Sequence, residues 1–444
     1  MADRPVRDTI NKANISTNIR MTSWLLDKIT KQTVQKIAGI RLLLIAVLSS
    51  PLWTHASSDL TAQGAEIFQS RWVIPFLSSG SWGRGPHSNA ESCTDCHKPG
   101  TNPFHPDKNV DEIQPFVLKI RNYNGTNGHK YYGNEISRFG ITGKLAPEGA
   151  FILDWQKSKV GPYVIRYPSP QITNLKFGSL ESGDALSLRL GRDLNAIGTL
   201  DSITASQLQE LVNEQKKLGL NGRINYVLNP VTKTKSIGRY GYKASSPSLF
   251  DQISKAFRDE LGVTSGAYPI NPCAAKPDVC SSLNTVGSLE ISKDKIIALT
   301  TFIRNPKPQN PPEPDKRRSA GEDLFAKIGC NRCHRSDLYA ASQYQADTKY
   351  DRPLYTDLLI HDMGIGLADG MKEFLAGPQD WRTPPLSGIK KHLNLGGTLL
   401  HDGRAQSIQE AILWHDGEAK DVRANYLSLN EDQKLLLEYF IEQL

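Results

Sequence analysis

No run of about 20 consecutive apolar residues occurs anywhere in the 444-residue chain, which excludes a polytopic membrane protein. Neither is the composition that of a disordered or collagen-like chain. Hydrophobic residues make up 39% and charged residues 22%, ordinary values for a globular protein of two or three domains. The net charge of +7 is also less than it looks. Residues 1–56 hold eight Lys/Arg against three Asp/Glu, so residues 57–444 carry only +2, and a nucleic-acid partner held by bulk charge is not expected. Methionine is scarce. Of the four, Met1 and Met21 lie in the first 56 residues, which leaves Met363 and Met371 as the only thioethers for a ligand role.

What the N-terminus does carry is a targeting pattern. Lys28, Lys31, Lys36 and Arg41 lead into an apolar run from Leu42 to Trp53, and Thr54-His55-Ala56 has the small-x-Ala form of a cleavage site. Residues 1–56 therefore read as a signal peptide for export to a bacterial periplasm. An uncleaved anchor is the alternative, but this apolar run, broken by Ser49, Ser50 and Pro51, falls short of the ~20 residues that span a bilayer. No membrane span is expected after cleavage. Met21 is a second candidate start.

Four of the six cysteines fall in the pattern C-x-x-C-H, as Cys93-Thr-Asp-Cys96-His97 and Cys330-Asn-Arg-Cys333-His334. Two thiols at that spacing reach the two vinyl groups of one porphyrin, and the adjoining histidine is then held under the iron as its proximal ligand. A zinc site would need both pairs to converge on one metal and would leave both histidines unexplained. A thioredoxin-like dithiol has no β-α-β pattern around it here. The expectation is two covalently attached haem c groups, one on Cys93, Cys96 and His97, the other on Cys330, Cys333 and His334. Cys273 and Cys280, in a Pro-rich segment, are expected to form a disulfide, with free thiols as the alternative.

The chain also repeats itself. Gly64-Ala-Glu-Ile-Phe68 is echoed by Gly321-Glu-Asp-Leu-Phe325, and Lys293 to Ile303 by Glu431 to Ile441, with Phe302 matching Phe440. These are the two ends of one helical unit used twice, the first copy enlarged. The surplus, around Lys130-Tyr-Tyr-Gly-Asn-Glu-Ile and Tyr163-Val-Ile-Arg-Tyr, reads as a few strands and is expected to cover the first haem. The fold class that follows is mainly α, with two cytochrome c-like domains at 57–303 and 320–444. The N-terminal domain carries an insertion with some β-structure, and a linker at 304–319 holds five prolines. Ser319-x-x-Glu322 is expected to cap a helix that ends near Gly329, and Ser407-x-x-Glu410 to cap one from Ile408 to about Trp414. In the latter, His415 shares a face with Ile408, Ala411 and Ile412.

The stretches Tyr355-Thr-Asp-Leu-Leu-Ile-His-Asp-Met-Gly, Asp380-Trp-Arg-Thr-Pro-Pro-Leu, Leu400-His-Asp-Gly-Arg-Ala and Glu410-Ala-Ile-Leu-Trp-His resemble the di-haem oxidoreductase family of peroxidases or thiol oxidoreductases. More distantly they resemble bacterial di-haem cytochrome c peroxidases. The resemblance extends over nearly all of residues 58–444, with Leu261 standing where relatives have Met and Asp201 where Glu is usual. It implies two haem domains that share an electron. It also implies that the sixth ligand of the C-terminal haem stands fourteen residues after the histidine of His-Asp-Gly. From His401 that is His415, giving bis-His ligation by His334 and His415, with Met363 as the rival. Bis-His ligation lowers a haem potential relative to His/Met.

The first haem reads differently. When Ser246-Pro-Ser-Leu is set on Thr383-Pro-Pro-Leu, Arg258 falls on His401, and the fourteenth residue after Arg258 is Pro272, which cannot ligate iron. An open iron is expected; His87, His105 and His129 are the residues that would instead close it. Peroxide heterolysis needs a group that moves a proton from one oxygen to the other, and in the peroxidases this chain resembles a carboxylate does so. Asp201 and Glu260 are the catalytic candidates, with Asp259 beside them. Two readings result. In the first, the chain reduces hydrogen peroxide or a related oxidant at the haem on His97, with electrons relayed through the haem on His334 from a donor such as a small cytochrome c or a cupredoxin. In the second it is an electron-transfer cytochrome with both irons six-coordinate.

Overall fold

The computed structural model describes residues 52–74, 81–97, 116–121, 128–141, 145–192, 194, 197–198, 200–270, 289–304, 315–338 and 353–444. The first 51 residues, His105, Pro272, Cys273 and Cys280 lie outside them. In chain order the main elements are α1 (Leu52–Gln69), α2 (Cys93–His97), β1 (Phe116–Arg121), β2 (Ala150–Val160), β3 (Tyr163–Thr173), β4 (Ala185–Leu190), α3 (Ala205–Lys217), α4 (Leu249–Leu261), α5 (Lys293–Arg304), α6 (Lys316–Ile328), β5 (Ile360–Asp362), β6 (Asp380–Arg382), α7 (Ile408–Leu413) and α8 (Glu431–Glu442). Residues 60–444 form one compact unit. Among the described residues no helix is long and apolar enough to cross a membrane.

The internal repeat is a helix crossing made twice. In the first copy α1 meets α5, with the Phe68 and Phe302 rings 5.5 Å apart; a Cβ on Gly64 would strike the Ala298 carbonyl and lie 2.6 Å from Cβ of Phe302. In the second, α6 meets α8, with Phe325 and Phe440 5.3 Å apart; a Cβ on Gly321 would strike the Leu436 carbonyl and lie 2.6 Å from Cβ of Phe440. Only a residue without a side chain lets the two backbones approach so closely. Gly321→Ala is therefore expected to lower stability by about 1–3 kcal/mol, the usual cost of overpacking, read as a fall in the melting temperature of the holoprotein. An unchanged melting temperature would mean that the crossing is not held at this distance.

Helix α6 starts earlier than the capping pattern suggested. Asp315, not Ser319, is its cap, the carboxylate accepting from the Arg318 amide at 2.7 Å. Ser319 sits inside the first turn, its amide bonded to the Asp315 carbonyl. Two acceptors suitable for the orphan amides lie four residues apart, and the one that adds a turn of helix is used. The Pro-rich linker is correspondingly shorter, because Arg304 closes α5 and residues 316–319 are helical. The other end is as expected: Gly329, at φ 100°, stops α6 directly before Cys330. Helix α7 begins as read, with Ser407 Oγ accepting from the Glu410 amide at 3.1 Å.

The extra length of the first half supplies two ribbons with different destinations. Strands β1 and β4 pair antiparallel. Their alternation sends Phe116, Leu118, Ile120 and Leu188 into a small core and turns Val117, Lys119 and Arg189 toward the cavity at the first C-x-x-C-H motif. Strands β2 and β3, 11 residues each, form an antiparallel hairpin whose base packs on the β1/β4 core through Phe151, Leu153, Trp155 and Ile172 and whose tip serves the second half. Ile165 joins the core of α6, α7 and α8, the Tyr167 ring stands edge-on to Trp414 at 5.7 Å, and the Tyr163 hydroxyl meets Lys434 Nζ at 3.0 Å. Of the insertion expected to cover the first haem, the β1/β4 ribbon lines the cavity at the first motif and the hairpin does not. The segment Lys130 to Ile136, read as strand, is a turn held by single bridges, His129 to Gly133 and Lys119 to Glu135.

Candidate functional site

The first motif lies on α2, where positions i, i+3 and i+4 put Cys93, Cys96 and His97 on one face. The second motif turns more tightly, with the Cys333 and His334 amides both donating to the Cys330 carbonyl. In both, the histidine is oriented by a backbone carbonyl. His97 Nδ1 meets the Arg192 oxygen at 2.6 Å and His334 Nδ1 the Tyr355 oxygen at 3.0 Å. A carbonyl only accepts, so Nδ1 carries the hydrogen and Nε2 is the nitrogen able to coordinate a metal. His415 is fixed in the same way, Nδ1 donating to the Ala411 oxygen at 2.7 Å. Support of this kind for a ligating imidazole is the usual second partner of a metal-bound histidine.

The four motif cysteines are not disulfide-bonded. Burial pushes the Cys93 and Cys330 thiols up to about 12 and raises Cys96 and Cys333 too. Dithiols that work by exchange have depressed values instead. Thiols so raised are not suited to redox cycling.

Around the first motif lies a cavity with about 1580 Å³ of space between atoms, its open mouth included. Helix α4 forms one wall, with Gln252, Ala256 and Glu260 in register one turn apart, and Lys255 and Asp259 on its flank. The β1/β4 ribbon adds Lys119 and Arg189, and Glu135 and Glu373 complete a charged wall. Burial, then the Glu135 and Asp259 carboxylates, push Glu260 up to about 8; burial, then Asp259, push Glu135 up to about 7. Asp259 is held low despite its burial by the Arg258 guanidinium, 2.6 Å away. Glu373 is held well below the ordinary range against its burial by Lys119 and Arg189, the latter at 3.0 Å. Burial, then Lys119, bring Lys255 down to about 8. The wall thus holds two carboxyls and one amine that change protonation near neutral pH, a signature of sites that move protons.

The second motif borders the apolar core of α6, α7 and α8 on the side of Cys330 and a polar cluster on the side of Cys333. Burial, and to a lesser extent the charge of His415, lower His334 to about 4. Burial lowers His415 as well, so both are neutral at pH 7, the form that coordinates. Arg404 grips Asp402 through paired bonds of 2.7–3.0 Å and lies over the Trp414 ring at 4.5 Å, next to His415. Met363 packs against the same core. Cys333 Sγ, Asp357 and His361 converge within 4.8 Å. His361 bridges Asp357 at 3.0 Å and Glu418 at 3.1 Å, and despite its burial these carboxylates hold it well above the ordinary histidine range.

Of the residues singled out from sequence, the cavity brings together Cys93, Cys96, His97, Asp259 and Glu260. Asp201 is outside its lining, in an ion pair with Arg304 and accepting from the Leu249 amide. His87 engages the Ala146 carbonyl at 3.0 Å and packs on Phe177. His129 faces Asp184 at 3.3 Å and stacks on Tyr132. Among the described lining residues His97 is the sole imidazole, and no methionine is present. Sequence reading missed Lys119, Glu135, Arg189, Lys255 and Glu373. Strand alternation could have paired Lys119 with one face of β1, but nothing local joins residues 119, 135, 255 and 373.

Two oriented histidines beside paired thiols, one pair set in a cavity rich in titratable groups, make the donor set of a haem oxidoreductase. The chain belongs to the family described as "di-haem oxidoreductase, putative peroxidase", whose sequence profile matches residues 157–444; haem cofactors go with that family. No match was found among curated proteins. Among solved structures, xenon-pressurised hydrazine synthase from Kuenenia stuttgartiensis aligns at 18% identity over 42% of this chain, with a TM-score of 0.26. The chain spans 64% of that protein's length, and so weak a likeness fixes neither fold nor function.

Proposed function

We propose that this is an exported, periplasmic di-haem c-type peroxidase. It binds one haem covalently through Cys93, Cys96 and His97 and a second through Cys330, Cys333 and His334, with His415 as sixth ligand of the second. The two halves are read as cytochrome c-like domains. The observation that carries the proposal is the first cavity, where His97 shares a lining with Glu260 and Glu135 and no other described imidazole or thioether. The haem iron there would supply the electrons that cleave the oxygen–oxygen bond.

The chain's own part is to bind peroxide, exclude bulk water and handle protons. Glu260, as carboxylate, takes the proton from the oxygen nearer the iron and returns it to the departing oxygen. Glu135, in the same lining, is the group that would exchange protons with it. Two electrons and two protons convert one peroxide to two waters. The electrons come from a donor protein such as a small cytochrome c or a cupredoxin, through the second haem. There His334 and His415 would both ligate the iron, closing it to substrate and suiting it to electron storage.

Electron paramagnetic resonance on the oxidised and half-reduced holoprotein tests this, together with peroxide turnover by a reduced small cytochrome c. The expected result is one high-spin haem beside one low-spin haem in at least one state, with turnover. Two low-spin haems in both states and no turnover would make the chain an electron-transfer cytochrome instead.

A further inference from the structure

We infer that Arg192 and Arg382 form the wall that binds the two propionate carboxylates of the first haem, so that the second half of the chain, through Arg382, completes the haem site of the first. This rests on the reading that Cys93, Cys96 and His97 hold a haem.

Both arginines line the first cavity. Arg382 sits on β6, which pairs with β5 in the second half, and its side chain is only 8% exposed. Its Nε donates to the Gly241 carbonyl at 3.1 Å and its Nη1 to the Thr383 carbonyl at 3.1 Å. Both partners are uncharged, and Nη2 has no hydrogen-bond partner among the described residues. Arg192 offers its carbonyl to His97, while its guanidinium makes no ion pair or hydrogen bond with the described residues. Burial, then the charge of Arg192, lower Arg382 to about 10, in keeping with the place of both in one lining. Arg189, in the same lining, is by contrast neutralised by Asp369 and Glu373.

A buried charge is costly without a counterion, and the buried Arg382 and half-buried Arg192, lining one cavity with no ion pair among the described residues, call for a dianion. The fork of a guanidinium matches a carboxylate in two parallel hydrogen bonds. A porphyrin anchored by two thioethers and an axial histidine brings two carboxylates on one edge into this cavity. A small free anion would offer the same chemistry, and the experiment separates the two.

Arg382→Gln, Arg382→Lys and Arg192→Gln holoproteins, matured with haem-attachment machinery, would be compared with wild type by covalent haem count and by spectroelectrochemical titration. The first haem is followed through its high-spin bands. A cation beside a haem favours the less positive, reduced state. Each Gln variant should therefore keep two haems and show the first haem reduced less readily, by about tenfold in the reduction equilibrium, or ~59 mV for one electron. The second haem should not move, and Arg382→Lys should recover part of the loss. Unchanged potentials in both Gln variants, with both haems in place, would overturn the inference. So would a saturable change of the wild-type spectrum on adding inorganic phosphate that Arg382→Gln abolishes, because the pair would then serve a free anion. A wild-type protein with no haem on Cys93 and Cys96 would instead remove the functional reading beneath it.

Discussion

Glu260→Gln is expected to slow peroxide turnover by about 10²- to 10⁴-fold, the usual worth of a positioned proton carrier, with both haems still attached. The amide keeps the size of the side chain and loses only its ability to take a proton. Because burial and the neighbouring carboxylates push Glu260 up to about 8, most of the protein at neutral pH holds it protonated. The wild-type rate should therefore rise with pH along a limb near 8, and Glu260→Gln should lack that limb. If the limb survives in Glu260→Gln at full rate, the proton carrier is another group, and Glu135, pushed up to about 7, is next to test. The same shift affects stability in the opposite sense. In the unfolded chain this carboxyl ionises near 4.5, so between about 4.5 and 8 the folded state binds more protons, and this group's contribution falls as pH rises through that window.

His415→Ala is expected to turn the haem on His334 from low-spin to at least partly high-spin and to leave the haem on His97 unchanged. His415 arrives at its position with its tautomer already chosen by the Ala411 carbonyl and with burial keeping it neutral. Arg404 and Trp414 hold the end of α7 in place. Electron paramagnetic resonance of the oxidised variant reads the result directly. A spectrum identical to wild type would remove His415 as a ligand and pass the role to Met363, which packs against the same core.

What sequence made legible were features whose parts lie close together in the chain. The two C-x-x-C-H motifs, the Gly329 stop and the Ser407 cap are each decided within a few residues. The repeat was also legible, since Gly64 with Phe302 and Gly321 with Phe440 are contact residues of the same helix crossing in both copies. Local signals misled where two were equally good, as with Asp315 and Ser319 competing to cap α6. They were silent where the site is assembled from afar. Lys119, Glu135, Lys255 and Glu373 come from four separate segments, and only the folded chain makes their charges perturb one another. Asp201 illustrates the reverse. A carboxylate in a suggestive stretch finds Arg304, and the fold uses it as half of an ion pair.

The docking of the β2/β3 hairpin bears on how the protein is made. Residues 163–173 leave the exit of synthesis long before Cys330, yet the surface that receives Ile165 and Tyr167 exists only after α7 and α8 have been added. Until then the tip of the hairpin has nothing to close upon, although its base, through Phe151, Leu153 and Trp155, can already pack on the β1/β4 core. The tip's arrival seals the second core beside Trp414.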